Sequence, residues 1–305
     1  MDSNQKVAVV TGSSSGIGLE TAFALAKKGY ITYATMRDLQ KSKVIEKFLD
    51  RENVLLKIVE MNVNDDYSVK NAVDKIMDEH GRIDVMVNNA GYGLFGALED
   101  LEMEEIKKQF ETNVFGIIRV TKNILPIMRR QRSGIIVNIS SLSGLVGIPS
   151  QSIYSGTKFA VEGISESLSY EVEPHGIKIL LVEPGVINTD FVHDLIVPAN
   201  QYGVNKNGEK RNNQLGGEDS NFSSSCYKDT IGKFLSSYYD AMRKAPSPDT
   251  VANEIIQSIE KAFGEYNPVS IMRIQVGNDS KKYSKLKKDL SDIEFHKMLR
   301  KNLLK

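Results

Sequence analysis

Short runs of β-branched and aliphatic residues alternate with amphipathic stretches through the first two-thirds of the chain. Val7–Val10 reads as a buried strand, and Ile17–Lys28, closed by Gly29, as the helix after it. The pairing repeats. Strand Ile31–Thr35 precedes a helix near Ser42–Arg51, and strand Val54–Met61 precedes helix Asp66–His80, closed by Gly81. Strand Ile83–Val87 leads to a long helix, Met103–Arg132, in which Pro126 predicts a kink or a break. Strand Ile135–Ile139, helix Ile153–Val172 and strand Lys178–Val182 continue the series. Unbroken apolar strands suit burial on both faces. The rhythm therefore predicts an α/β fold, a doubly wound parallel sheet with helices on both faces. Such sheets bind ligands at the carboxyl ends of their strands.

The rhythm breaks after Phe191. Gln201–Ser225 is rich in Asn, Gly, Ser and Lys and predicts either a mobile lid, in which Leu215 and Phe222 could order against a ligand, or a surface insertion with no role. Helices at Thr230–Arg243 and Thr250–Phe263 and a last strand at Val269–Val276 come next. The lysine-rich tail has Leu286, Leu290 and Ile293 at roughly helical spacing. It is expected to pack on the body or on a partner subunit; the lesser alternative is a membrane-surface helix. Residues 1–305 read as one domain, with 192–248 as a substrate-side insertion and 277–305 as a helical tail.

Lys plus Arg equals Asp plus Glu at 39 each, so no global basic field points to nucleic acid. One cysteine, Cys226, excludes an internal disulfide. Met1–Lys6 is polar, and runs such as Ile179–Val182 are too short to span a bilayer. A soluble, cytoplasmic protein is expected, and no metal site.

Chemistry enters at the turn Thr11-Gly12-Ser13-Ser14-Ser15-Gly16-Ile17-Gly18, between the first strand and the first helix. Glycines let the backbone approach a phosphate closely, and the helix N-terminus favours an anion. The spacing is T-G-x-x-x-G-x-G. Asn88-Asn89-Ala90-Gly91 ends the fourth strand, and Asn113, Ser141, Tyr154, Lys158 and Pro184-Gly185 appear after it in order. In these motifs the chain resembles the classical short-chain dehydrogenase/reductase family, densely from about Val7 to Thr189. The resemblance implies a single Rossmann-type domain binding a nicotinamide nucleotide. It places Gly12, Ser13, Ser15, Gly16, Ile17 and Gly18 at the phosphates, with Asn89, Ala90, Gly91, Pro184, Gly185, Ile187 and Thr189 also at the cofactor.

Tyr154 and Lys158 are four apart on one helix and share a face. Ser141 lies just past the carboxyl end of its strand. A ketone receiving hydride needs a proton donor, and a nearby ammonium is expected to lower the phenol pKa of Tyr154. The resemblance implies that Lys158 also holds the nicotinamide ribose, that Ser141 binds the substrate oxygen, and that Asn113, where the family opens its helix, positions a relay water. Spacing alone is not enough, because Tyr-x-x-x-Lys recurs at Tyr202 and Tyr283. Ser270 precedes Tyr283 by the Ser141–Tyr154 interval, but at the wrong end of its predicted strand; Tyr202 is expected in a polar loop and Tyr283 in a solvated tail.

An acidic residue ending the second strand would favour NAD, and a basic one NADP. Met36 stands there and Arg37 is next, so NADP(H) is expected, with NAD(H) as the alternative. Asp38 is expected to lie beyond the strand and cap the next segment, and Ser13 to add a hydrogen bond to the phosphate. Ser15 stands where many NADPH-dependent relatives carry a second basic residue. Asn62 replaces the family's usual aspartate, with its carbonyl and the backbone of Val63 facing the adenine.

Leu94, Phe95, Leu142, Val146, Ile148, Ile187 and Phe191 lie at the ligand end and predict an apolar pocket. Tyr33–Asp38 looks like the steroid and retinol dehydrogenase branch. The expected activity is carbonyl–alcohol oxidoreduction of a small molecule by a homodimer or homotetramer assembled through the Met103–Arg132 and Ile153–Val172 helices. Two alternatives are a nucleotide-sugar epimerase or dehydratase, whose glycine turns are generally spaced differently, and a non-catalytic nicotinamide sensor.

Overall fold

A computed structural model describes residues 5–191, 195–197, 202, 225–264 and 271–304. Its strands are β1 (Val7–Val10), β2 (Ile31–Met36), β3 (Leu56–Glu60), β4 (Val85–Asn88), β5 (Gly134–Ile139), β6 (Ile177–Pro184) and β7 (Ile271–Val276). They form one sheet in the order β3-β2-β1-β4-β5-β6-β7, every neighbouring pair parallel. The order reverses between β1 and β4, and a crevice opens there at the carboxyl ends of the strands.

The strands' alternate side chains feed two cores. On one face Val10, Ala34 and Val182 meet Leu25 of α1 (Gly16–Lys27) and Ile255 of the helix Pro248–Gly264. On the other, Val9, Met86 and Ile136 meet Ile76 of Asp66–His80 and Ile124 of Gly116–Gln131. In chain order the helices are α1, α2 (Lys43–Leu49), α3 (Asp66–His80), α4 (Met103–Phe110), α5 (Gly116–Gln131), α6 (Ser152–Val172), α7 (Lys228–Lys244), α8 (Pro248–Gly264), α9 (Asn278–Asp289) and α10 (Asp292–Leu303).

The expected break at Pro126 does not occur, since α5 runs through it. Ile124, Ile127 and Met128 are buried around the proline, and that packing outweighs its local cost. The interruption is instead a π-helical turn, Glu111–Phe115, centred on Asn113.

The tail folds back on the body. Tyr283, Leu286 and Leu290 of α9 and its following turn pack against Leu142, Val146, Phe295 and Leu299. Tyr283 is therefore not in a solvated tail, and only Ile293 of the apolar stripe stays exposed. Tyr202 is buried, with its hydroxyl accepting from the Ala97 amide at 3.0 Å and donating to Asp100 Oδ2 at 2.6 Å. The expected lid lies outside the described residues except for Tyr202 and Ser225, as does Ser270. Among the described residues no helix is long and apolar enough to cross a membrane.

Candidate active site

One cavity of about 740 Å³ runs along the carboxyl edge of the sheet. Its β1 side is the glycine turn. Gly12 at φ +65° and Gly16 at φ +57° take left-handed backbone that other residues rarely adopt. A Cβ on Gly12 would sit 2.8 Å from Ala90 Cα, so the turn presses directly on the β4 turn. Asn89 locks the two together. Its Nδ2 donates to the carbonyls of Thr11 (2.9 Å) and Gly12 (3.1 Å), and Thr11 Oγ1 accepts from the amides of Asn89 and Ala90. At the start of α1, Ser15 makes no side-chain capping bond and no acidic residue stands in the first turn. The helix dipole there is uncompensated and suits an anion.

Ser14, Ser15, Gly16 and Ile17 line the cavity, but Ser13 does not. The backbone reversal at Gly12 turns Ser13 inward, fully buried, with its hydroxyl donating to the Val10 carbonyl at 2.8 Å. Ser13 is therefore a structural residue, and Ser14 takes its expected place on the cavity wall. Gly18 is also off the wall, packed beneath Asn89.

β2 ends at Met36, and Arg37 is exposed on the cavity rim with Lys41. Lys41 was not among the expected residues, although its sequence signal is a second basic residue soon after the strand end. Asp38 caps the short turn after the strand, accepting from the Gln40 amide at 3.0 Å, as expected. Asn62 and Val63 line the same end. Asn62 Oδ1 already accepts from the Asn64 amide at 3.2 Å.

The reacting end is built by β5 and α6. Ser141 follows β5, and Tyr154 and Lys158 project from α6, both less than a tenth exposed. Ser141 lies beside the Tyr154 phenol and favours its ionised form. Lys158 Nζ donates to the Ile139 carbonyl at 2.7 Å and lies 5.7 Å from the Tyr154 ring centre. Burial pushes the phenol up to about 12, with Ser141 pulling the other way. This corrects the expectation that the ammonium would hold it below its ordinary value. Burial also lowers Lys158 to about 8, against the raising charge of Glu162.

Asn113 sits behind the wall rather than on it. Its Nδ2 donates to the Tyr92 carbonyl (2.9 Å) and Thr157 Oγ1 (3.2 Å), and its Oδ1 accepts from the Tyr92 amide (3.1 Å). The π turn thus ties the β4 loop to α6.

Pro184, Gly185, Ile187 and Thr189 border the cavity beyond β6. Of the expected apolar residues, Phe95, Leu142, Ile148, Ile187 and Phe191 line it, whereas Leu94 and Val146 are buried behind. The Phe95 ring meets Tyr154 edge-on at 5.7 Å and Tyr238 at 5.3 Å, and Phe191 lies 5.9 Å from Tyr154. Phe234 and Tyr238, one turn apart on α7, were missed; their i,i+4 aromatic spacing was the available signal. Among the described residues no cluster of His, Cys, Asp or Glu could hold a metal.

The family model described as short chain dehydrogenase matches residues 6–197. The chain is 45% identical over 186 residues to 3-ketodihydrosphingosine reductase of Bacteroides thetaiotaomicron, covering 61% of this chain and 65% of that protein. It is 42% identical to human retinol dehydrogenase 8 over 63% of this chain and 62% of that one. Thus the matches span just under two-thirds of these relatives' lengths. Among solved structures, a short-chain dehydrogenase from Streptomyces avermitilis superposes with a TM-score of 0.75 at 28% identity, covering 97% of each chain. A single-residue variant of actinorhodin polyketide ketoreductase with NADPH superposes at 0.69 with 27% identity, over 90% of this chain and 96% of that one. With its seven-stranded parallel sheet and its Ser141, Tyr154 and Lys158 around one cavity, this chain belongs to the short-chain dehydrogenase family of oxidoreductases.

Proposed function

We propose that the chain interconverts a carbonyl and a primary or secondary alcohol on an apolar small molecule, with NADPH preferred and NADH as the alternative. The observation that carries this is Tyr154, a buried phenol at the aromatic end of the same cavity whose other end is the glycine turn. The residues present fit a dinucleotide. Close-packed glycines and an uncapped helix N-terminus suit a pyrophosphate, and Arg37 and Lys41 suit a 2′-phosphate. Bound NADPH supplies the hydride.

Tyr154, held protonated at neutral pH, donates the proton to the carbonyl oxygen, and Ser141 donates a hydrogen bond to that oxygen. The Lys158 ammonium stabilises the phenolate that remains and binds the nicotinamide ribose. Asn113 holds the loop that precedes Phe95 in register with α6, and its opened backbone supplies the relay contact for a water.

The rings of Phe95, Phe191 and Phe234 favour a lipophilic substrate. Relatives named for a keto sphingoid base and for retinol agree with that choice. Phe115 (50% exposed) and Phe159 (47%) stand on the helices expected to pair in a dimer or tetramer. A cytoplasmic location accords with the free Cys226.

The test is NAD(P)H turnover against a panel of apolar aldehydes and ketones, and NAD(P)⁺ against the matching alcohols. NADPH-linked reduction is expected. Absence of hydride transfer with either cofactor in either direction would refute the proposal.

A further inference from the structure

The pairing of β6 with β7 ends at Pro184 and Val276. Beyond it the chain reverses at Gly277, φ +95°, and enters α9. Three contacts gather at this end of the sheet. The Gly185 amide donates to the Val276 carbonyl at 2.9 Å. Ser280, fully buried, donates its hydroxyl to the Glu183 carbonyl at 2.6 Å. Asp279 Oδ2 accepts from the Val186 amide at 2.7 Å, and its Oδ1 accepts from the Ser280 amide at 2.9 Å.

Asp279 is also packed against Gly185 so closely that any Cβ there would overlap its carboxylate. A Cβ on Gly277 would lie 2.9 Å from the same Oδ1. The carboxylate therefore occupies a slot made by two glycines and two backbone donors. Asp279 lines the cavity beside Pro184, Gly185 and Val186. Sheet cohesion does not require this contact, because the ladder has already ended; the contact holds cavity wall instead. That wall follows β6, three strands away from β1 and four from β2, where Arg37 stands. It is the end of the cavity opposite the expected 2′-phosphate.

We infer that Asp279 is a positioning residue for the nicotinamide half of the cofactor. Through the Val186 amide it sets the 185–187 loop, which makes the C-terminal segment part of the cofactor site. The inference rests on the proposed cofactor reading. It assigns Asp279 no contact with the reacting atoms. A neutral side chain cannot replace it fully. Asparagine offers one acceptor where two amides donate, and so sets its own NH₂ against one of them.

The test measures dissociation constants of the full-length protein for NADPH and for 2′,5′-ADP, which carries only the adenosine end. Asp279→Ala and Asp279→Asn are compared with wild type, with thermal unfolding as the fold control. A charge-assisted hydrogen bond corresponds to about tenfold or more, and without Asp279 the ordering of this wall is drawn from cofactor binding. Asp279→Ala is expected to bind NADPH about tenfold more weakly and 2′,5′-ADP within about twofold of wild type. Asp279→Asn is expected to lose about three- to tenfold for NADPH alone, and it decides the matter if the alanine variant does not fold. Unchanged NADPH affinity in a folded variant overturns the inference, as does an equal loss for both nucleotides. Wild-type protein that binds neither nucleotide overturns the cofactor reading, and this inference with it.

Discussion

Gly18→Ala sets helix propensity against packing. Gly18 lies in the first turns of α1, where alanine is favoured by about 1 kcal/mol. A Cβ at this position would overlap Asn89 Nδ2 and lie 2.5 Å from the Gly12 carbonyl oxygen. Asn89 can retreat only by giving up its bonds to the Thr11 and Gly12 carbonyls. Each is worth about 0.5–1.5 kcal/mol, so about 1–3 kcal/mol is lost. The Gly12 contact is backbone and cannot be relieved by a rotamer, so the turn or α1 must also shift. Set against the propensity gain this leaves about 0–2 kcal/mol, and the backbone shift adds about 1 kcal/mol, so a net destabilisation of about 1–3 kcal/mol is expected. Urea unfolding midpoints at constant m-value measure it. A cycle with Asn89→Ala should show coupling, the double variant being less destabilised than the sum by about 1 kcal/mol. NADPH affinity should fall as the turn moves. A Gly18→Ala protein as stable as wild type with unchanged NADPH binding would refute the reasoning.

Arg37→Ala should weaken NADPH binding by about ten- to a hundredfold and leave NADH nearly unchanged, with a smaller effect from Lys41→Ala; titrations of both cofactors check this, and an unaltered NADPH-to-NADH ratio counts against it. Because burial holds Lys158 near 8, its ammonium is present below that pH and lost above it, so kcat/KM for carbonyl reduction should decline above about pH 8; a profile flat to about pH 10 would remove Lys158 from the chemistry. Tyr202→Phe leaves the Ala97 amide without its partner and should cost about 1–3 kcal/mol of stability while sparing kcat per folded molecule; a selective loss of kcat in the folded variant would show that the wrong tyrosine had been chosen.

The sheet was legible because strands buried on both faces must be continuously apolar. Every expected strand and helix outside the polar segment appears within a few residues of its place. Tyr154, Lys158 and Ser141 were legible for a related reason: helical spacing and the strand end fix which way they face. The features that escaped depend on geometry that sequence order does not carry. Gly12's positive φ decides that Ser14 and not Ser13 meets the cavity. The Asp279 contact joins residues 93 apart, through a tail whose lysines disguise it as solvated. The rise of the phenol's pKa escaped because spacing reveals the neighbouring lysine but not the burial that pushes the phenol up.

The central claim is that Tyr154 supplies the proton. The direct measurement is single-turnover carbonyl reduction by wild type and Tyr154→Phe, each saturated with NADPH and each shown by titration to bind it. The change removes one hydroxyl and keeps the ring that packs against Phe95 and Phe191. NADPH affinity within about twofold of wild type is expected, with a rate lower by at least about 10²-fold, the usual contribution of a positioned general acid. A folded, NADPH-bound Tyr154→Phe protein that reduces the carbonyl at the wild-type rate would contradict it.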